Sequence, residues 1–69
     1  DIQGTVYVRF VVTKSGKVGE AQVTRGVDPL LDNEALRVVK LLPDFKPGSQ
    51  GGRPVNVWFS VPIVFVLSN

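Results

Sequence analysis

The chain contains neither cysteine nor histidine, and these two absences remove most of the familiar chemistry before any motif is considered. Disulfides are impossible, so nothing covalent staples the fold. A zinc site loses its preferred ligands, and acid–base or nucleophilic catalysis loses its two most versatile side chains. Six carboxylates, scattered hydroxyls, one tyrosine and the lysines remain. The carboxylates do not converge: Glu20 falls on an outward strand face, Asp28, Asp32 and Glu34 at a helix start, and Asp44 in a loop. There is no acidic calcium loop. Gly48, Gly51 and Gly52 are followed by neither the lysine nor the helix of a phosphate loop. No catalytic, cofactor-binding or metal-binding constellation is legible, and the chain reads as non-enzymatic.

Strong charge of one sign and long apolar runs are missing too. Eight basic residues oppose six acidic ones for a net +2. They are spread along the chain, without the basic run or aromatic-plus-basic cluster that tracks phosphates, which argues against a nucleic-acid partner. The longest apolar stretch, Val61 to Leu67, is far short of the roughly 20 residues of a membrane span. No signal-peptide pattern opens the chain and no internal repeat is visible. Its 69 residues are expected to form one small domain, 1–69, cut from a longer protein. For that size a stability of about 3–5 kcal/mol is usual.

What is present is strand pattern. From Arg53 to Leu67 the odd positions Val55, Val57, Phe59, Val61, Ile63, Phe65 and Leu67 form an unbroken apolar row, the period of one long strand with a face on a core. Pro62 lies inside it, and a proline is tolerated in a sheet only at an edge or a bulge. The last strand is therefore expected at an edge, where unpaired backbone groups recruit extended chains.

Earlier in the chain, Val6, Val8, Phe10 and Val12 alternate within a first strand over Thr5 to Thr13. Lys14-Ser15-Gly16-Lys17 supplies a hairpin turn, and Val18 to Thr24 returns with Ala21 and Val23 inward. Asp28-Pro29 opens a helix that Pro43 stops, with Leu31, Ala35, Val38, Val39 and Leu42 on one stripe. Asp44 to Pro54 holds three glycines and is expected to be a loop without regular structure, mobile around Ser49 to Gly52, with Phe45 anchoring it. The order β-β-α-β predicts an α+β fold of two layers. One helix packs on one face of a three-stranded antiparallel sheet, with the first strand central and the long last strand at the edge. The uncovered face would show Tyr7, Val11, Trp58, Val64 and Val66, apolar enough to call for a covering segment, a second copy or a partner.

Taken together, G-x-V-x-V-x-F-x-V (Gly4 to Val12), the S-G-K-V turn, the run from Val23 to Lys40, and F-K-P-G (Phe45 to Gly48) followed by R-P-V-N-V resemble the C-terminal domain of TonB, in the variant of the Bacteroidetes-type lineage. The resemblance covers nearly the whole chain. It implies a periplasmic domain tethered to the inner membrane by an N-terminal helix outside this chain and coupled to a proton-driven ExbB/ExbD-type motor. Such a domain captures the TonB box of an outer-membrane TonB-dependent transporter by strand addition and pulls on its plug to drive import. The matching edge here is Val55, Asn56, Val57, Trp58, Phe59, Ser60 and Val61. Phe45, Pro47 and Gly48 match a turn whose role is structural, with Phe45 where the family often has Tyr or Trp. A TonB-like structural or sensory module of another envelope protein, such as a membrane-anchored peptidase, is the alternative, and a strand-exchanged homodimer is a further possible assembly.

Overall fold

The computed structural model describes residues 3–66. A hairpin of β1 (Gly4–Val12) and β2 (Val18–Arg25) leads into α1 (Pro29–Lys40), followed by β3 (Gly48–Gln50), β4 (Arg53–Val55) and β5 (Val57–Phe65). β1 lies at the centre of an antiparallel sheet ordered β2-β1-β5, and β3 pairs with β4 in a separate ribbon. The α+β class, the central first strand and the edge position of the last are as the alternation and Pro62 predict.

Alternation in β1 builds the core. Val6, Val8, Phe10 and Val12 are all buried and meet Ala35 and Val39 of α1; Leu31, Leu36, Val18, Ala21, Val23, Val61, Ile63 and Phe65 pack around them. Each fully buried valine contributes about 1.5 kcal/mol or more, a large fraction of what so small a domain can hold. Leu36 joins this cluster while Val38 and Leu42, expected on the stripe, do not.

The start of α1 is fixed by two carboxylates. Asp28 accepts the Leu30 N–H at 2.9 Å, with Pro29 in the first turn, and Asp32 accepts the Val27 N–H at 3.0 Å. The first bond satisfies an amide that a helix end leaves without a partner, and the second folds the entering chain back onto the first turn. Asp28→Ala is expected to cost about 1 kcal/mol, read as a lower urea midpoint with an unchanged slope.

Two sequence expectations are corrected. The single strand from Arg53 onward is interrupted at Asn56, which separates β4 from β5, and Leu67 lies outside the described residues. The chain changes partner there, Val55 standing opposite Gly48 and Val57 opposite Val12, and the Asn56 side-chain carbonyl accepts the Lys14 N–H at 2.9 Å, tying that point to the β1–β2 turn. The segment Asp44 to Pro54 is not without regular structure: Gly48, Ser49 and Gln50 pair with Val55, Pro54 and Arg53. Gly51 and Gly52 close the ribbon with φ of 58° and 78°, the two positive values that a tight two-residue hairpin demands.

The helix does not sit over the whole sheet. The short connection Gly26 to Asp28 returns it directly over its own strand, so α1 packs on β2 and β1 and leaves β5 largely uncovered. Phe59, on the core-facing row of β5, is consequently 46% exposed.

Candidate functional site

The two edges of the sheet are built differently. β2 is interrupted by register shifts opposite Tyr7/Val8 and Phe10/Val12, and exposes Glu20, Gln22, Thr24 and Arg25. Bulges and charges of this kind discourage further strand pairing. β5 instead pairs with β1 without a single shift, from Gly4 opposite Phe65 to Val12 opposite Val57. Among the described residues its other flank has no neighbouring strand.

The register identifies which backbone groups face that flank. In an antiparallel ladder, opposite residues alternately exchange both their hydrogen bonds or neither. Pro62 stands opposite Tyr7 and has no N–H to exchange, so this pair is of the second kind. Counting in twos, Val57, Phe59, Val61, Ile63 and Phe65 direct their backbone groups toward β1, while Trp58, Ser60 and Val64 direct theirs outward. Two independent bonds agree: just past β1 the Thr13 N–H reaches the Lys17 carbonyl at 2.8 Å, and within it the Tyr7 carbonyl accepts the Thr24 hydroxyl at 3.3 Å, both on the β2 side. Odd residues of β1 thus bond toward β2 and even ones toward β5.

The side chains of this edge divide between the two faces. On the helix face, Phe59 stacks on Phe10 with ring centroids 5.8 Å apart, and Phe45 approaches Phe10 from the loop at 6.2 Å. Val61, opposite Val8, reaches the core, and Val57 lies against Gly48. On the open face, Trp58 is 41% and Tyr7 39% exposed, whereas Val11 between the outer strands is buried. The Arg9 guanidinium carbon lies 4.1 Å from the Trp58 ring centroid, a cation–π contact worth about 0.5–1 kcal/mol at an exposed position. Ser60 is exposed beside it, opposite Arg9.

The remaining expected positions are at the junction rather than on the nine-residue ladder. Val55 ends β4 opposite Gly48, and Asn56 turns its side chain to Lys14. The Phe45 N–H donates to the Gly16 carbonyl at 2.6 Å, placing Pro47 beside the β1–β2 turn, while Gly48 lies against Val57 and Val55. Arg9 was not among the expected residues. Its diagonal relation to Trp58 follows only from the register, which pairs Val11 with Trp58.

Electrostatically the edge is bare of acid. β1, β3, β4 and β5 contain no Asp or Glu, whereas Arg9 and Arg53 lie on them. The two titrating groups whose environment moves them lie on α1: the hydrogen bond from Arg37 holds the Glu34 carboxyl below its ordinary range, and Glu34 raises Arg37 in return. Both are too exposed to bear on the sheet. No cavity and no cluster of three candidate metal ligands occurs among the described residues.

Among the described residues, this two-layer α+β domain with one guarded edge, one regular open edge and no cavity presents an unpaired strand rather than a pocket. The chain belongs to the family described as the Gram-negative bacterial TonB protein C-terminal domain, whose model matches residues 1–67. This is a family of non-enzymatic, periplasmic domains that serve energy transduction and interact with TonB-dependent receptors. No curated protein sequence matches the chain.

Proposed function

We infer that this chain is the receptor-capturing end of a TonB-like energy transducer: it takes up the TonB box of an outer-membrane transporter as an added strand on the free flank of β5. The observation that carries this reading is the contrast between the shifted, charged β2 edge and the nine unshifted residues of β5. Trp58 and Ser60 offer alternating donors and acceptors, and Val57, Phe59 and Val61 offer an apolar row to the incoming side chains on the helix face. Asn56 and Val55 extend the recognition surface at its beginning, and Phe45, Pro47 and Gly48 hold the turn next to it. The absence of carboxylates from these strands favours a neutral or acidic segment over a basic one.

In the transducer this domain is one part of a longer membrane-anchored protein, with an N-terminal helix in the inner membrane and an ExbB/ExbD-type motor that loads it through the preceding chain. Force reaches the transporter plug along the strand axis, where ladder bonds share the load. A nuclear magnetic resonance titration with box peptides from receptors of the same genome tests the capture step. The amides of Trp58 and Ser60 are expected to shift and to slow their exchange. Changes confined to α1 or to the β2 edge would refute the reading. A second copy of the chain adding its own β5 to the same flank would show as peptide competition with self-association in sedimentation.

A further inference from the structure

Pro62 has no task in the isolated domain that calls for proline. Its side chain is exposed and is not part of the core, and its pairing with Tyr7 uses no N–H from either kind of residue. What it changes is the free flank. The outward donors run Trp58, Ser60, then a gap at Pro62, then Val64. An incoming strand that continued past Ser60 would bring a carbonyl to the ring of Pro62, where no N–H meets it.

The rest of β5 supplies little else to define a register. Val57, Phe59, Val61, Ile63 and Phe65 repeat apolar character at every second position, so a bound segment displaced by two residues keeps apolar neighbours and the same side-chain faces. A ladder of that kind permits slippage. The missing donor at Pro62 bounds that ladder at one end, as the strand break at Asn56 does at the other, and a segment spanning Val57–Val61 then has one placement that keeps every bond.

We propose that Pro62 is the register-determining stop of the capture edge, confining an added strand to the stretch Val57–Val61 and fixing which of its residues face Trp58 and Ser60. This rests on the strand-capture reading above and adds to it a length and a position: the captured segment is an extended, neutral or acidic stretch of about five residues, bonded through Trp58 and Ser60 and ending before Val64. The same gap denies a continuous edge to other copies of the chain.

The test compares two synthetic peptides carrying one receptor box sequence, of about nine and about five residues, on the wild-type chain and on Pro62→Ala. In the wild type, both peptides are expected to bind within about threefold of each other, and amide exchange slows at Trp58 and Ser60 but not at Val64. In Pro62→Ala, which restores an outward N–H without touching a bond to β1, the longer peptide gains about tenfold and protection extends to position 62 and Val64. The shorter peptide is unaffected. Protection of Val64 in the wild type, or no gain for the longer peptide in Pro62→Ala, would overturn the stop while leaving capture intact. Should neither peptide slow Trp58 or Ser60 in either protein, capture itself falls and the stop with it. If Pro62→Ala self-associates, the wild-type comparison of the two peptides and of Val64 still decides.

Discussion

Ser60→Pro is expected to yield a folded domain that no longer holds an extended peptide, whereas Val61→Pro, one residue on, is expected not to fold. The difference lies in the backbone alone. Ser60 stands opposite Arg9, in the same alternation as Pro62 opposite Tyr7, so its N–H points away from β1 and its removal leaves the internal ladder complete. Its side chain is exposed, and the extended backbone of an edge strand accepts proline. The outward face, however, loses the donor at the middle of the proposed capture stretch and gains a ring in its place. One lost bond and one stranded partner carbonyl come to roughly 2–4 kcal/mol, a fall in affinity of about thirtyfold or more. Val61 stands opposite Val8 at the centre of the core. Proline there deletes a bond between β5 and β1 and strands its partner carbonyl inside the sheet, together roughly 2–4 kcal/mol, comparable with the whole stability expected for a domain of this size. Circular dichroism melts paired with peptide titration read both outcomes. A Ser60→Pro chain that folds and binds as the wild type does would show that the free flank of β5 is not the place of capture.

Gly16→Ala is expected to abolish the fold outright. Gly16 lies at φ 84°, a left-handed conformation that costs an L-residue roughly 1–2 kcal/mol. An added Cβ would also stand 2.1 Å from the Phe45 carbonyl oxygen. The neighbouring backbone cannot withdraw without breaking the 2.6 Å bond from the Phe45 N–H to the Gly16 carbonyl. That contact ties the β1–β2 turn to the segment leading into β3, so strain there loosens the hairpin and the ribbon together. Gly51→Asn provides the contrast. Gly51 has φ 58° but nothing within 4 Å of its added Cβ, and asparagine tolerates that conformation, so the change should stay within about 0.5 kcal/mol. Thermal melts of the two variants separate steric exclusion from mere positive φ.

The elements that local chemistry dictates were legible in the sequence. Alternation over β1, the Asp28-Pro29 start of α1 and the proline inside the last strand carry their meaning within a few neighbouring residues, and together they gave the order of the sheet. The interruption at Asn56 was not legible, because Val55 and Val57 continue the apolar row on either side, and the partners that change there, with the Lys14 N–H that Asn56 accepts from 42 residues away, are distant in sequence. The β3–β4 ribbon did have a signal. Gly51-Gly52 between Gln50 and Arg53 is a two-residue hairpin pattern, outweighed by the loop-like composition around it. Leu36 displaced Val38 and Leu42 from the core because α1 lies off-centre, over β2 and β1. The candidate edge was named from sequence, but which of its amides face outward depends on strand register, and so does the meeting of Arg9 with Trp58.

The off-centre helix has a consequence for anything β5 would hold. Strands lie about 4.8 Å apart, so a visitor beyond β5 would sit about 10 Å from β1, the nearest strand under α1. It would remain wet on both sides, and little apolar area would leave water as it docks. Such a grip rests on main-chain bonds with only modest help from burial, which suits a handle that must be taken up, tugged and let go many times over.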